Sequence, residues 1–243
     1  MGCRPPGLRC SPRVVVYDHR GTGQSDKPED PAGYTSRQFA RDAVAILDAV
    51  GIGRAHVYGV SMGGGIAQWV AIDHADRVGA LVLGCTTPGG PNKVPTAAWI
   101  MEARQDSDPQ AWARVAASLV FSPEWAEAHP EVARAVLAPE GTPPEMRRLH
   151  NQISPTNNTW DQLPLISAPT LVIHGSDDEM VPVGNARLLA ERIPAAELHI
   201  VQGGRHGYLM EYQEETSRVV LDFLARHPLR ATGTAPSATQ GDA

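Results

Sequence analysis

His56-Val57-Tyr58-Gly59-Val60-Ser61-Met62-Gly63-Gly64-Gly65 is the stretch that decides the fold. A short strand signal ends at Val60. Apolar residues at helical spacing, Ile66, Trp69 and Val70, follow Ser61. A serine framed as G-x-S-x-G where a strand must become a helix is the pattern of a nucleophile on a tight, strained turn. Such a turn lifts Oγ out of the sheet. The helix that begins there points its N-terminal dipole at the reacting carbonyl, which favours an oxyanion. The backbone N–H of Met62 is the first expected oxyanion donor. An incidental serine in a Gly-rich turn would not account for the switch from strand to helix. A phosphate loop would need a G-K-[ST] ending, which this stretch lacks.

Working outward, short apolar runs at 14–18, 80–83, 170–174 and 198–201 read as further strands. Helical spacing covers roughly 35–50, 61–74, 183–193 and 211–226, with Thr35 or Ser36 as N-cap and Gly51 and Gly53 closing the first. Strand and helix in alternation predict an α/β fold: a mostly parallel sheet flanked by helices. The alternation stops between about 88 and 164. That stretch shows helical segments punctuated by proline and holds Trp99, Trp112, Trp125 and Trp160. The expected organisation is a core over 1–87 and 165–227, an inserted helical region over 88–164, and a small, polar tail over 228–243 read as disordered.

Composition narrows the function. The chain of 243 residues carries a net charge of -6, which argues against nucleic acid or an anionic membrane surface as partner. Three cysteines, Cys3, Cys10 and Cys85, form no disulfide framework, and reduced thiols in the cytoplasm are the expectation. No apolar run reaches the roughly 18 residues of a membrane span. The N-terminus lacks the apolar core of a signal peptide. Asn157-Asn158-Thr159 spells a glycosylation acceptor, a signal that means nothing without secretion. No motif for a cofactor or metal stands out. Nothing in the sequence sets the oligomeric state.

A serine hydroxyl needs a base, and the base needs an orienting carboxylate. In the fold where a G-x-S-x-G elbow joins strand to helix, the order along the chain is serine, then acid, then histidine. After the strand at 170–174 come Asp177, Asp178 and Glu179, and composition does not choose among them. After the last strand comes Gly203-Gly204-Arg205-His206-Gly207, a histidine between glycines that suits a general base. His56, His174 and His199 lie in strand segments and read as structural. His19 follows Asp18 and could line the site.

These motifs resemble the α/β-hydrolase superfamily, in its branch with a helical cap. Tyr17-Asp18-His19-Arg20-Gly21-Thr22-Gly23-Gln24-Ser25-Asp26 looks like the stretch after the family's fourth strand, with Asp18 and Arg20 as a buried turn of paired charges. Gly59–Gly64 looks like its elbow, His174-Gly175 with Asp178 and Val181-Pro182 like its acid loop, and Gly204-Arg205-His206 like its histidine loop. The likeness runs from Arg13 to about His227. It implies Ser61 as nucleophile, Asp178 as acid, His206 as base and 88–164 as a cap over the substrate. A serine at the elbow disfavours dehalogenase and epoxide-hydrolase chemistry. The relatives that look nearest are 3-oxoadipate enol-lactonases and small-ester hydrolases, so a small carboxylic ester or lactone is the expected substrate. Perhydrolase or C–C hydrolase chemistry on the same triad is the alternative, as is a non-catalytic, ligand-binding remnant.

The resemblance also implies a departure. Members carry a longer stretch before the equivalent of Val14, which supplies the first strands and a loop with the second oxyanion N–H. The expectation is an N-terminally incomplete sheet, a gap beside the strand at 55–60, only Met62 as oxyanion donor, and a chain that starts too late.

Overall fold

The computed structural model describes residues 13–104, 109–137 and 142–229. Cys3, Cys10 and most of the expected tail lie outside them. Four strands form one sheet, in spatial order β1 (Ala55–Val60), β2 (Val78–Gly84), β3 (Thr170–Gly175) and β4 (Glu197–Val201). All three pairings are parallel. Parallel neighbours need a crossover, usually a helix. Here α2 (Met62–Asp73) links β1 to β2, and α9 (Gly184–Arg192) links β3 to β4. Before β1 comes α1 (Ser36–Ala49), and after β4 come α10 (Tyr208–Glu211) and α11 (Gln213–Arg226). Thr35 caps α1 by accepting the Gln38 N–H.

The two central strands are buried on both faces, and alternation sorts their side chains. Leu81, Leu83 and Val172 join one core with Phe39 of α1, Ile66 and Val70 of α2 and Leu189 of α9. Ala80, Val82, Leu171 and Ile173 join the other with Val220 and Phe223 of α11. The sheet therefore sits between helical layers. No described helix is long and apolar enough to cross a membrane.

Between β2 and β3 the described residues form only helices: α3 (Ala98–Arg104), α4 (Pro109–Val120), α5 (Pro123–Ala128), α6 (Pro130–Leu137), α7 (Pro144–Asn151) and α8 (Ile153–Thr156). The two ends of this segment meet at the core. Gly90 N–H donates to Asn157 C=O, and Thr159 N–H donates to Pro88 C=O. Asn157 of the glycosylation triplet is buried, its Oδ1 accepting the Trp69 Nε1–H.

Two expectations are corrected. Residues 14–18 form no strand; Val14 and Val16 are 74% and 85% exposed. A β-branched run becomes a strand only when a ladder partner takes its N–H and C=O groups, and among the described residues it has none. β1 is accordingly an edge strand, with Tyr58 46% exposed. Asp18 is exposed and accepts the Gln24 N–H instead of pairing with Arg20. Arg20 grips Asp42 of α1 with two hydrogen bonds of 2.6 and 2.5 Å.

Candidate active site

Ser61 stands alone between β1 and α2, with φ 53° and ψ −120°. A positive φ is uncommon for a residue with a side chain and marks local strain. The backbone around it holds the turn. Ser61 N–H donates to Gly84 C=O at 2.8 Å, and Ser61 C=O accepts from Thr86 Oγ1 at 2.8 Å and from Gly64 N–H at 2.9 Å. Close packing of strand on helix explains two of the glycines. A Cβ on Gly59 would lie 2.2 Å from the Gly63 carbonyl oxygen, and one on Gly64 would lie 2.4 Å from Thr86 Cβ. Gly63, the last glycine of the motif, faces open space. Met62 occupies the first position of α2, and no side chain caps that helix. Its N–H is one of the orphan donors at a helix start. A cavity of about 20 Å³, room for roughly one water, borders Ser61 and Met62.

His206 Nε2 lies 3.0 Å from Ser61 Oγ, and its Nδ1 lies 2.8 Å from Asp178 Oδ2. With Asp178 ionised, Nδ1–H donates to the carboxylate, which leaves Nε2 to accept the Ser61 proton. The structure thus brings Ser61, His206 and Asp178 into one hydrogen-bonded chain. It also separates the three neighbouring acids. Asp178 is 3% exposed, whereas Asp177 and Glu179 face outward.

Asp178 Oδ1 accepts the Val181 N–H at 2.8 Å. His174, at the end of β3, lies with Nε2 2.8 Å from Val181 C=O and 3.3 Å from Asp178 Oδ2. One N–H therefore ties the acid loop to the carboxylate. The sequence puts His174 in a strand segment and at the head of the acid-loop motif, with a structural reading only. The missed signal was its position, last but one in the strand and four residues before the acid. His19 instead packs its ring against Tyr17 and Phe39.

The histidine loop is held by the inserted segment. His206 and Gly207 donate their N–H groups to the C=O groups of Leu119 and Val120, in the last turn of α4, at 3.3 and 2.7 Å. A Cβ on Gly207 would lie 2.5 Å from Phe121. Phe121 in turn stacks on Trp125 at 4.5 Å. Trp99 is 49% exposed, and Trp160 lies under the Arg192 guanidinium.

Burial by itself would lower the basicity of His206. The Cys85 sulfur and the Asp178 carboxylate beside it outweigh burial and hold the imidazole well above its usual 6.5. Burial would likewise raise Asp178, but the charge and hydrogen bonds of His206 and His174 prevail and keep its carboxyl below the ordinary value. The site holds a pair whose ionised states stabilise each other.

Comparison with known proteins agrees with this architecture. Residues 6–212 match the family described as alpha/beta hydrolase fold. The chain belongs to that family. The poly(3-hydroxyalkanoate) depolymerase of Ectopseudomonas oleovorans is 34% identical over 227 residues, 90% of this chain and 77% of the relative. A RutD protein of Caulobacter sp. (strain K31), named for carbamate hydrolysis, is 33% identical over 221 residues, covering 88% and 81%. Among solved structures, Est816, titled as an N-acyl homoserine lactone degrading enzyme, superposes with TM-score 0.74 at 32% identity, covering 85% of this chain and 81% of that one. The enol-lactonase from Burkholderia xenovorans superposes with TM-score 0.73 at 27% identity, covering 86% and 79%.

Proposed function

We propose that this α/β-hydrolase is a serine hydrolase that cleaves a small carboxylic ester or lactone through an acyl-enzyme. One observation carries the reading: the unbroken hydrogen-bonded chain from Ser61 Oγ through His206 to the buried Asp178. The relatives named for depolymerase, carbamate-hydrolase and lactone-degrading activity point to hydrolysis in the same direction.

Ser61 Oγ attacks the carbonyl carbon while His206 Nε2 takes its proton. The developing oxyanion meets the Met62 N–H at the start of α2, where the helix dipole also favours negative charge. His206 then protonates the leaving alcohol, and the C–O bond breaks to leave acyl-Ser61. Water, deprotonated by His206, attacks the acyl carbon. The acid leaves and Ser61 regains its proton. Asp178 stays ionised throughout, orienting His206 and offsetting the positive charge it gains.

The test is a panel of p-nitrophenyl esters, lactones and carbamates assayed with the chain and with Ser61→Ala. Turnover of at least one ester or lactone is expected, with a loss on the order of 10⁶-fold in kcat on removing Ser61. Turnover unchanged in Ser61→Ala, or none by the folded protein, would count against it.

A further inference from the structure

Cys85 is the residue just past the end of β2, and the mechanism above gives it no task. It is fully buried. Its φ is +34°, and its N–H donates to Ile173 C=O at 3.1 Å. A side-chain-bearing residue seldom takes that conformation, so the strand end dictates where the thiol points. It points at the site. The Cys85 sulfur, a carboxylate oxygen of Asp178 and a ring nitrogen of His206 all lie within 4.8 Å of one another. Among the described residues no other three metal-ligating side chains gather this closely.

Thiolate, imidazole and carboxylate are the three side-chain ligands of zinc, and a thiolate biases a site toward soft cations. With metal–ligand bonds of about 2.0–2.3 Å, the ligand atoms of a tetrahedral site stand roughly 3.5 Å apart. Reaching that spacing from a triangle with all atoms within 4.8 Å and one side at 2.8 Å needs side-chain shifts of about 1 Å, with the short side opening. His206, between Gly204 and Gly207, is the member placed to make them. A water would complete the coordination.

We propose that Cys85, Asp178 and His206 form a binding site for a soft divalent cation of the zinc and cadmium class, and that its occupation silences the hydrolase. The geometry makes binding and catalysis exclusive. His206 Nδ1 and Asp178 Oδ2 are 2.8 Å apart, too close for a metal between them, so coordination by both breaks their hydrogen bond. The imidazole then no longer serves Ser61 as base. The silencing half rests on the proposed serine mechanism; the binding half does not. In the contrasting reading Cys85 is a packing residue only, one of the apolar cluster with Ala80, Ile173 and Tyr208.

Cadmium chloride titrated into the full chain carrying Cys3→Ser and Cys10→Ser tests the idea, because Cys85 is then its only thiol. Ultraviolet thiolate-to-cadmium absorption reports binding, and hydrolysis is assayed in parallel. The expected result is a band that saturates at one cadmium per chain while activity disappears. Adding Cys85→Ser should abolish the band. It should also raise the half-inhibiting concentration by at least about tenfold relative to the variant's own uninhibited rate. If that variant does not fold, Asp178→Asn serves instead: it keeps the thiol and should shift the band to higher cadmium. Folded protein without a band, or a half-inhibiting concentration unmoved by Cys85→Ser, overturns the site. A saturated band with activity intact overturns the silencing. If the chain hydrolyses nothing, the serine mechanism fails while the band still decides binding.

Discussion

His206 sits between Ser61 and Asp178, and in the proposed mechanism its charge decides when Ser61 can react. The base form exists only above the imidazole's own pKa, which the Cys85 sulfur and the Asp178 carboxylate raise against the effect of burial. The acid limb of kcat/KM should therefore have its midpoint above 6.5. Asp178→Asn removes one of the groups that raise it, so the midpoint should fall, with rate lost by about 10⁴-fold. A pH–rate profile of both proteins checks this, and an unmoved limb would contradict the assignment. The same shift affects stability. Raised basicity stabilises the fold below the unfolded value of about 6.5, and that contribution is lost as pH rises through the folded value. Ser61 and His206 were legible because each lies in a motif with a strand just before it. Asp178 was legible only as one of three acids until the family register chose it; of the three it is the one that is buried. For His174 the sequence offered only its position, four residues before Asp178 at a strand end; the contact it makes with Val181 C=O depends on how the acid loop folds back.

At the scale of elements, the sheet reads well where strands are buried on both sides. The runs at 80–83 and 170–174 became the central strands β2 and β3. The run at 14–18 looks the same in sequence and formed nothing, because a strand depends on its neighbour as much as on its residues. The elbow shows a similar limit. The motif marks three glycines in and beside the turn, yet the structure needs Gly59 and Gly64 for closeness and leaves Gly63 room. Gly59→Ala should destabilise the protein by about 1–3 kcal/mol through overpacking. That is a fall in melting temperature of roughly 2–4 °C for each kcal/mol. Gly63→Ala is the control, with its Cβ in open space and a much smaller expected loss. Thermal melts that rank the two variants the other way would refute the packing argument.

For the whole molecule, the segment leading from β2 to the inserted helices meets α9 at a polar seam. Asn185 of α9 accepts the Val94 N–H at 2.9 Å and donates to Val94 C=O at 2.9 Å. It also accepts from Thr87 Oγ1 at 3.0 Å. Asn185 is 1% exposed. Asn185→Ala would leave these partners unpaired, at about 1–3 kcal/mol, and should lower the melting temperature while leaving the Ser61–His206 pair in place. A melt unchanged by the substitution would mean that the seam carries no stability. The sequence predicts a helical region over 88–164, and the described helices α3 to α8 lie between Ala98 and Thr156. It did not show that α4 accepts hydrogen bonds from His206 and Gly207, since that depends on how helices pack over the sheet.

The proposed function requires Ser61 to be an activated nucleophile. The most direct measurement is intact-mass and peptide-mapping analysis after reaction with a fluorophosphonate. One adduct per folded chain, on Ser61, absent in Ser61→Ala and strongly slowed in His206→Ala, is the predicted result. Folded protein that takes up no label, or carries it on another residue, would contradict the claim.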